Sequence, residues 1–308
     1  MNKLISSVSP HISGKRTTQT IMLDVIIALL PAAIASVIIF GLRSLLVIGV
    51  CIAVCVLSEF LFEKLCQRDN TVPDLSAVVT GLLLAFNLPV SIPLWQAAFG
   101  SIVAIIVVKQ LFGGIGQNFA NPAITARIIM MTAFSGTMTA WTAPVTADTV
   151  SSATPLAAAA KGEIASMPSY LTLLLGNHGG CLGETCALAL LLGGIYLLAK
   201  RIISWHTPVA FIATVALMSL ICGKDVLYQL MAGGLLLGAF FMATDYATTP
   251  STKWGKIIFG IGCGLITVLI RFWGNLPEGV SFSILLMNLL TPYIAKMTRN
   301  KPLVGGAK

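Results

Sequence analysis

Gly81-Leu82-Leu83-Leu84-Ala85-Phe86-Asn87-Leu88-Pro89 and, far downstream, Gly234-Leu235-Leu236-Leu237-Gly238-Ala239-Phe240 ahead of Pro250 are two versions of one pattern. Each is a glycine-led apolar run followed by a helix breaker. The echo extends outward. One apolar run ends near Lys109 and its counterpart near Arg271; Asn121-Pro122 opens a run, and Thr291-Pro292 interrupts another. Ten such runs fill the chain: Leu23–Phe40, Ser44–Phe62, Leu75–Leu88, Leu94–Phe112, Pro122–Phe134, Glu184–Ala199, Pro208–Cys222, Val226–Ala243, Ile257–Trp273 and Phe282–Ala295. A membrane-spanning helix needs about 20 apolar residues. The third, fifth and seventh runs are short for a full crossing, and Asn87-Leu88-Pro89 and Asn121-Pro122 place breakers at the ends of two of them. Backbone freed by such breaks is tolerated at membrane depth only where protein or a cavity covers it.

The predicted fold is therefore an all-α integral membrane protein of about ten transmembrane helices. Five runs precede a long polar loop and five follow it. An odd number in each half turns the second half upside down, which gives inverted repeats, with short or broken helices lining a site between them. The expected segments are 1–20, an N-terminal cytoplasmic stretch; 21–135, the first repeat; 136–180, an extracytoplasmic loop; 181–295, the second repeat; and 296–308, a cytoplasmic tail.

Composition agrees. The 308 residues are 56% hydrophobic and 10% charged, where a soluble domain carries about 25% charged residues. The segment before Leu23 is polar, and the first apolar run lacks the exit of a cleavable signal, so it reads as a retained span. The net charge of +8 does not point to nucleic acid, because the cations flank apolar runs instead of clustering among aromatics. With the N-terminus inside, only Arg43, Lys161, Lys224 and Arg271 of the 19 basic residues fall outside. That bias sets both termini on the cytoplasmic side. Seven cysteines form no CxxC pair. Cys181 and Cys186 flank a polar turn and allow a disulfide, with unpaired thiols the simpler reading. No metal or iron–sulfur ligand set can be assembled, and His11, His178 and His206 read as surface residues.

The loop contains Asp148-Thr149-Val150-Ser151-Ser152-Ala153-Thr154-Pro155. Taken alone, it is a connector rich in turn formers. Asp148-x-x-Ser151-Ser152-Ala153-Thr154 nevertheless resembles the flavin-attachment motif Asp-x-x-(Ser/Thr)-Gly-Ala-Thr, with Ser152 where the motif has Gly. The run from Lys109 through Gly113-Gly114-Ile115-Gly116-Gln117-Asn118 to Asn121-Pro122-Ala123, Leu175-Gly176-Asn177 with Gly183-Glu184-Thr185, and Ala243-Thr244-Asp245 extend the resemblance from about Ser9 to Pro292. The chain resembles the D-subunit family of the Rnf complex, and more distantly the B subunits of the sodium-pumping NADH:quinone oxidoreductase.

That resemblance implies FMN joined to the Thr154 hydroxyl as a phosphoester, made by a dedicated flavin transferase on an accessible segment. Asp148 would assist the transferase or form an Asx turn. It also implies a second, non-covalent flavin, riboflavin, which we expect near Gly113, Gly114, Gly116, Asn118, Asn121 and Arg127. Read without it, the glycines form a turn, and Arg127 either pairs with an acid or snorkels to the surface. Among the acids, Asp24 and Asp74 read as helix caps. Glu184, which could also cap, and Asp245, set among threonines, are the candidates for an ion path.

The implied function is a subunit of an ion-translocating ferredoxin:NAD+ oxidoreductase in a prokaryotic inner membrane, moving Na+ or H+. Its partners would be an FMN-bearing subunit, iron–sulfur subunits and the surrounding lipid. Two rivals remain open here: a solute channel of five-plus-five type, and an assembly scaffold.

Overall fold

The computed structural model describes residues 16–142, 144, 154–156, 168–274 and 279–299. Among these the chain is helical. We label the principal helices α1 (Thr18–Phe40), α2 (Leu42–Leu65), α3 (Ser76–Phe86), α4 (Leu94–Gln110), α5 (Pro122–Ala133), α6 (Tyr170–Leu175), α7 (Ala187–Ala199), α8 (His206–Ile221), α9 (Val226–Met231), α10 (residues 235–242), α11 (Lys253–Trp273) and α12 (Val280–Thr298). Four of them, α1, α2, α11 and α12, are long and apolar enough to cross a membrane. Helices α3, α4, α5, α7 and α8 are shorter apolar helices.

The breaks lie where the sequence supplies breakers, with one exception. Helix α3 stops after 11 residues, ahead of Asn87-Leu88-Pro89. Asn121 caps α5, its side chain accepting from the N–H groups of Ala123 and Ile124, with Pro122 at the first helical position, where a missing N–H costs nothing. The run expected as one span over Val226–Ala243 is instead two helices, parted at Ala232-Gly233-Gly234, where Gly233 takes φ +71°. Glu184, a candidate cap for the sixth span, does not cap it: that helix begins only at Ala187, with Cys186 at the cap position. Asp24 lies within α1, whose cap is Thr17. The Asp24 carboxylate accepts from the Tyr196 hydroxyl at 2.8 Å and faces Lys200 at 3.7 Å.

Two stretches are wound as π-helix: Val103–Gln110 within α4 and Gly238–Met242 within α10. Wider winding of this kind is rare and concentrates at functional sites.

Packing follows membrane rules. Apolar side chains such as Ile38, Leu42 and Leu65 lie exposed on the outside of the bundle, a surface suited to lipid. Inside, small residues bring backbones together. A Cβ on Gly193 of α7 would stand 2.1 Å from the Ala28 carbonyl oxygen of α1. Helix α2 packs on α3 and α4, and α4 on α5; likewise α8 packs on α9 and α11, and α11 on α12. The halves meet through α1 against α7 and α5 against α12. Cys181 and Cys186 are not joined in a disulfide, so that alternative falls away. His178 is buried at 8% exposure, contrary to the surface reading.

Because the α1–α7 crossing leaves no room for a side chain, Gly193→Leu should destabilise the fold by at least the ~1–3 kcal/mol typical of overpacking. A lowered melting temperature of the purified protein in detergent is the expected result. An unchanged melt would show that the helices do not approach this closely.

Candidate functional site

A cavity of about 330 Å³ opens where the two halves meet. The first half contributes residues of α1 and α3, Lys109 of α4, and the turn and cap Ile115, Gly116, Asn118, Asn121 and Pro122. The second contributes Ile202, Ile203, Phe240, Phe241, Thr244 and Asp245. The lining is mainly apolar, with a few polar groups converging on it, and the size lies within the ~300–1,000 Å³ typical of ligand pockets. Both π-helical stretches border it, through Lys109 and through Phe240 and Phe241.

Three of the residues expected near a second flavin, Gly116, Asn118 and Asn121, thus share one cavity with Asp245, a residue expected on an ion path. Gly113 and Gly114 do not line it. They form the turn that delivers Asn118, at φ +122° and +93°, closed by a hydrogen bond from the Gly114 N–H to the Lys109 carbonyl at 3.0 Å. Among the described residues, Asn118 Oδ1 is buried without a hydrogen-bond partner. Asn121 holds the wall in place, donating to the Met242 carbonyl at 3.4 Å. The Asp245 carboxylate accepts from the Thr248 hydroxyl at 3.0 Å. Burial pushes its carboxyl above the usual carboxylate range, partly offset by that bond and by the N–H groups of Ala247 and Tyr246.

Behind Lys109 lies a network that the sequence alone does not assemble. Lys109 Nζ stands 2.7 Å from Glu59 Oε1 and donates to Ser76 Oγ at 2.7 Å. Gln110 donates to Glu59 and Glu63 at 2.9 and 3.3 Å, and the Thr71 hydroxyl donates to both carboxylates. Glu59 and Lys109 are almost wholly buried, and among the described residues Glu59 Oε2 has no partner. The signal is present in the sequence: Glu59 in one apolar run, with Glu63 just past its end, and Lys109 in another are costly inside a membrane unless paired.

Arg127 points away from the cavity to a second site. Its Nη1 lies 2.7 Å from Glu184 Oε1, both side chains being nearly inaccessible. The same atom donates to Asn87 Oδ1 at 2.7 Å and Ser281 Oγ at 3.1 Å, and Nη2 approaches Cys181 Sγ at 3.4 Å. Three elements therefore converge on the guanidinium that α5 carries: the broken end of α3, the 181–184 turn and the start of α12. Glu184 fits because Gly234 has no side chain; a Cβ there would stand 2.7 Å from Glu184 Oε1. The turn itself is pinned to the end of α3, Leu182 N–H donating to the Leu88 carbonyl and Gly183 N–H to that of Phe86, both at 3.0 Å.

Thr154 lies beside this second site. With His178, Gly179, Gly180, Glu184 and Gly233 it lines a pocket of about 10 Å³. The Tyr228 hydroxyl donates to the Pro155 carbonyl at 3.0 Å, and Leu156 packs among Leu173, Tyr228 and Ala232. Burial holds His178 below its ordinary pKa, despite hydrogen bonds to the backbone of Gly179 and Thr185 that raise it. Thr154 is 5% exposed, so the expected accessible hydroxyl is instead seated against the protein. Asp148, Ser151, Ser152 and Ala153 lie outside the described residues.

The sequence matches the NQR2, RnfD, RnfE family over residues 5–304. It is 50% identical to the D subunit of the Na+-translocating ferredoxin:NAD+ oxidoreductase complex of Acetobacterium woodii, covering 98% of this chain and 95% of the relative. It is 41% identical to the D subunit of the proton-translocating ferredoxin:NAD+ oxidoreductase complex of Clostridium ljungdahlii, covering 95% and 94%. It is 39% identical to the D subunit of the ion-translocating oxidoreductase complex of Marinobacter nauticus, covering 96% and 94%.

The Arg127–Glu184 geometry makes a double-mutant prediction. Glu184→Leu or Arg127→Leu alone leaves a buried charge unpaired and should cost about 3–5 kcal/mol. The Arg127→Leu/Glu184→Leu double variant should be more stable than either single variant, as read by thermal melting in detergent. Additive losses would show that the two groups act independently.

Proposed function

Because the chain belongs to the NQR2, RnfD, RnfE family over nearly its whole length, we propose that it is the flavin-bearing membrane subunit of an ion-translocating ferredoxin:NAD+ oxidoreductase, working with the FMN-bearing and iron–sulfur subunits of that complex. The observation that carries this reading furthest is the cavity between the halves, with Asn118, Asn121, Lys109 and Asp245 around one apolar space. The channel reading loses its support, since the relatives are named as subunits of oxidoreductase complexes; loss of electron transfer in a Thr154→Ala complex that still assembles would count against a scaffold.

The second, non-covalent flavin, riboflavin, belongs in this cavity. The fit rests on a volume that accepts a small ligand, on the phenyl rings of Phe240 and Phe241, and on Asn118 Oδ1, an acceptor left for a ring N–H. Such a flavin supplies one- and two-electron chemistry. The chain's own contribution is to exclude water from the space, orient a ring through Asn118, and set a buried lysine beside it.

FMN is assigned to Thr154. A pocket of about 10 Å³ accepts no ring, so a flavin joined there stands outside the seat, and the transferase reaches the hydroxyl only when residues 154–156 leave it. Helix α5 links the two places: Asn121 at its cap borders the cavity, and Arg127 lies about 9 Å further along the axis against Glu184, which lines the Thr154 pocket.

The ten-span count, the inverted repeats and the orientation complete the reading. In their support, α2 meets α3 and α4, and α4 meets α5, as α8 meets α9 and α11, and α11 meets α12, while across the halves α1 meets α7 and α5 meets α12. The basic bias puts both termini in the cytoplasm and loop 136–180 outside a prokaryotic inner membrane. The transported ion is Na+ or H+, and the relatives' names include both. Asp245 and Glu184 are the acids assigned to the ion path.

The wild-type chain, made with its flavin transferase and denatured in a gel, should fluoresce under ultraviolet light, and Thr154→Ala should be dark. A colourless wild-type band would overturn the covalent assignment. Asn118→Leu should lose the flavin released on denaturation while keeping the gel fluorescence; retention of both would remove the cavity from the flavin path. A raised carboxyl at Asp245 is neutral below its pKa and anionic above it. Ion-coupled turnover should therefore fall on acidification at a higher pH than an ordinary carboxylate would give, and Asp245→Asn should abolish that dependence. An unaltered pH profile in Asp245→Asn would exclude it.

A further inference from the structure

Several cations of this chain gather at one end of the bundle. Lys200 and Arg201 follow α7, Lys253 and Lys256 open α11, and Arg16 donates to the Lys200 carbonyl at 2.9 Å. A hydrogen bond between Thr252 and Thr298 brings the end of α12, with Lys296 and Arg299, to the same region. Trp205, Tyr246 and Trp254 are exposed there. Such a belt of aromatic and basic side chains at helix ends marks the boundary between lipid tails and water.

Within this belt is a second cavity, of about 630 Å³. Arg201 and Lys256 supply its charge, Thr207 and Ser204 its hydroxyl donors, and Trp205 part of its rim, while the Thr249 hydroxyl on its wall donates to the Asp245 carbonyl at 2.6 Å. Among the described residues no acid lines it, and neither Arg201 nor Lys256 has an ion-pair partner. Arg201 is held in the left-handed region at φ +55°, a costly conformation for a residue with a Cβ. It is fixed by the turn that ends α7, where the Arg201 N–H donates to the Leu198 carbonyl at 3.0 Å. Two uncompensated cations on the wall of a cavity with hydroxyl donors match a group that carries negative charge and several acceptor oxygens. A phosphodiester has that chemistry, and at this depth the abundant source of one is a lipid headgroup.

We propose that this cavity binds the headgroup of an anionic phospholipid, with Arg201 and Lys256 on the phosphate and the hydroxyls on its oxygens. Basic pockets between transmembrane helices on the cytoplasmic side serve this purpose in general. Ile202, Ile203, Thr244 and Tyr246 border both this cavity and the one between the halves. A bound headgroup therefore stands at the side of the inner cavity and fixes the 200–207 and 244–249 turns that wall it.

The test is native mass spectrometry of the full chain purified in detergent and supplied with defined lipid. With dioleoyl-phosphatidylglycerol the wild type should retain one lipid. Arg201→Gln/Lys256→Gln should bind it more weakly by on the order of tenfold or more. A control that removes two cations elsewhere, Lys64→Gln/Lys224→Gln, should bind as the wild type does. Melting curves of the same samples check folding, and the added lipid should raise the melting temperature of wild type and control but not of the Arg201/Lys256 variant. Equal retention by all three proteins would overturn the proposal, as would equal retention of phosphatidylcholine by the wild type. Displacement of the lipid by millimolar inorganic phosphate would also overturn it, by showing a site for a soluble anion.

Discussion

An arginine and a glutamate, both nearly inaccessible, face each other at 2.7 Å where the two halves of the bundle meet. A lone charge at such depth costs several kcal/mol even after relaxation, so neither residue is tolerable without the other. The arrangement around them follows from that constraint. Asn87 is free to face Arg127 because α3 ends at Phe86. Glu184 reaches it because the 181–184 turn pairs with the carbonyls exposed by that ending. Ser281 reaches it from the first turn of α12, and Gly234, at the break between α9 and α10, leaves the space the carboxylate occupies. The breaks in the helices and the buried charge are thus one feature, since each break supplies either a partner for the guanidinium or room for one.

The same economy operates around the larger cavity. Asn121 caps α5 with its side-chain oxygen and holds α10 with its nitrogen, through the Met242 carbonyl. With its amide oriented to satisfy both neighbours, Asn288 of α12 accepts from the Asn121 N–H at 3.1 Å and donates to the Thr248 carbonyl at 3.2 Å, next to the loop that carries Asp245. A short helix capped this firmly at one end and bonded to Glu184 through Arg127 cannot shift without disturbing both places. That is a physical connection between them; coupling in the thermodynamic sense is a separate quantity, which needs measurement.

Much of this was legible in the sequence because local chemistry decided it. Asn121-Pro122 specifies a helix start wherever it occurs, and Asn87-Leu88-Pro89 specifies an ending. The residues of the Gly116–Asn121 turn and Asp245 can be named as candidates, although only folding shows that they share a cavity. What stayed illegible depended on distance in the chain. The Glu59–Lys109 pair joins residues of two separate apolar runs; each run shows a charge that needs a partner, but only folding shows which partner it takes. The break at Ala232-Gly233-Gly234 escapes a reading by pattern because glycine pairs are common in uninterrupted membrane helices; here its role is set by Glu184 and Leu156, which fill the space beside it.

Thr154 shows why a motif and a fold can disagree about one residue. A transferase needs the hydroxyl exposed, and the fold holds it in a pocket closed by glycines. One net hydrogen bond to Pro155 contributes about 0.5–1.5 kcal/mol, and burial of the Leu156 side chain about 1.5–3 kcal/mol. An unseated form a few kcal/mol above the seated one would be populated at on the order of 0.1–10%, enough for the proposed transferase to act once on each chain. A much tighter seat would exclude the modification, and a loose one would leave the Arg127–Glu184 pair open to water. Under the proposed assignment of FMN to Thr154, the seating of 154–156 lies between those limits.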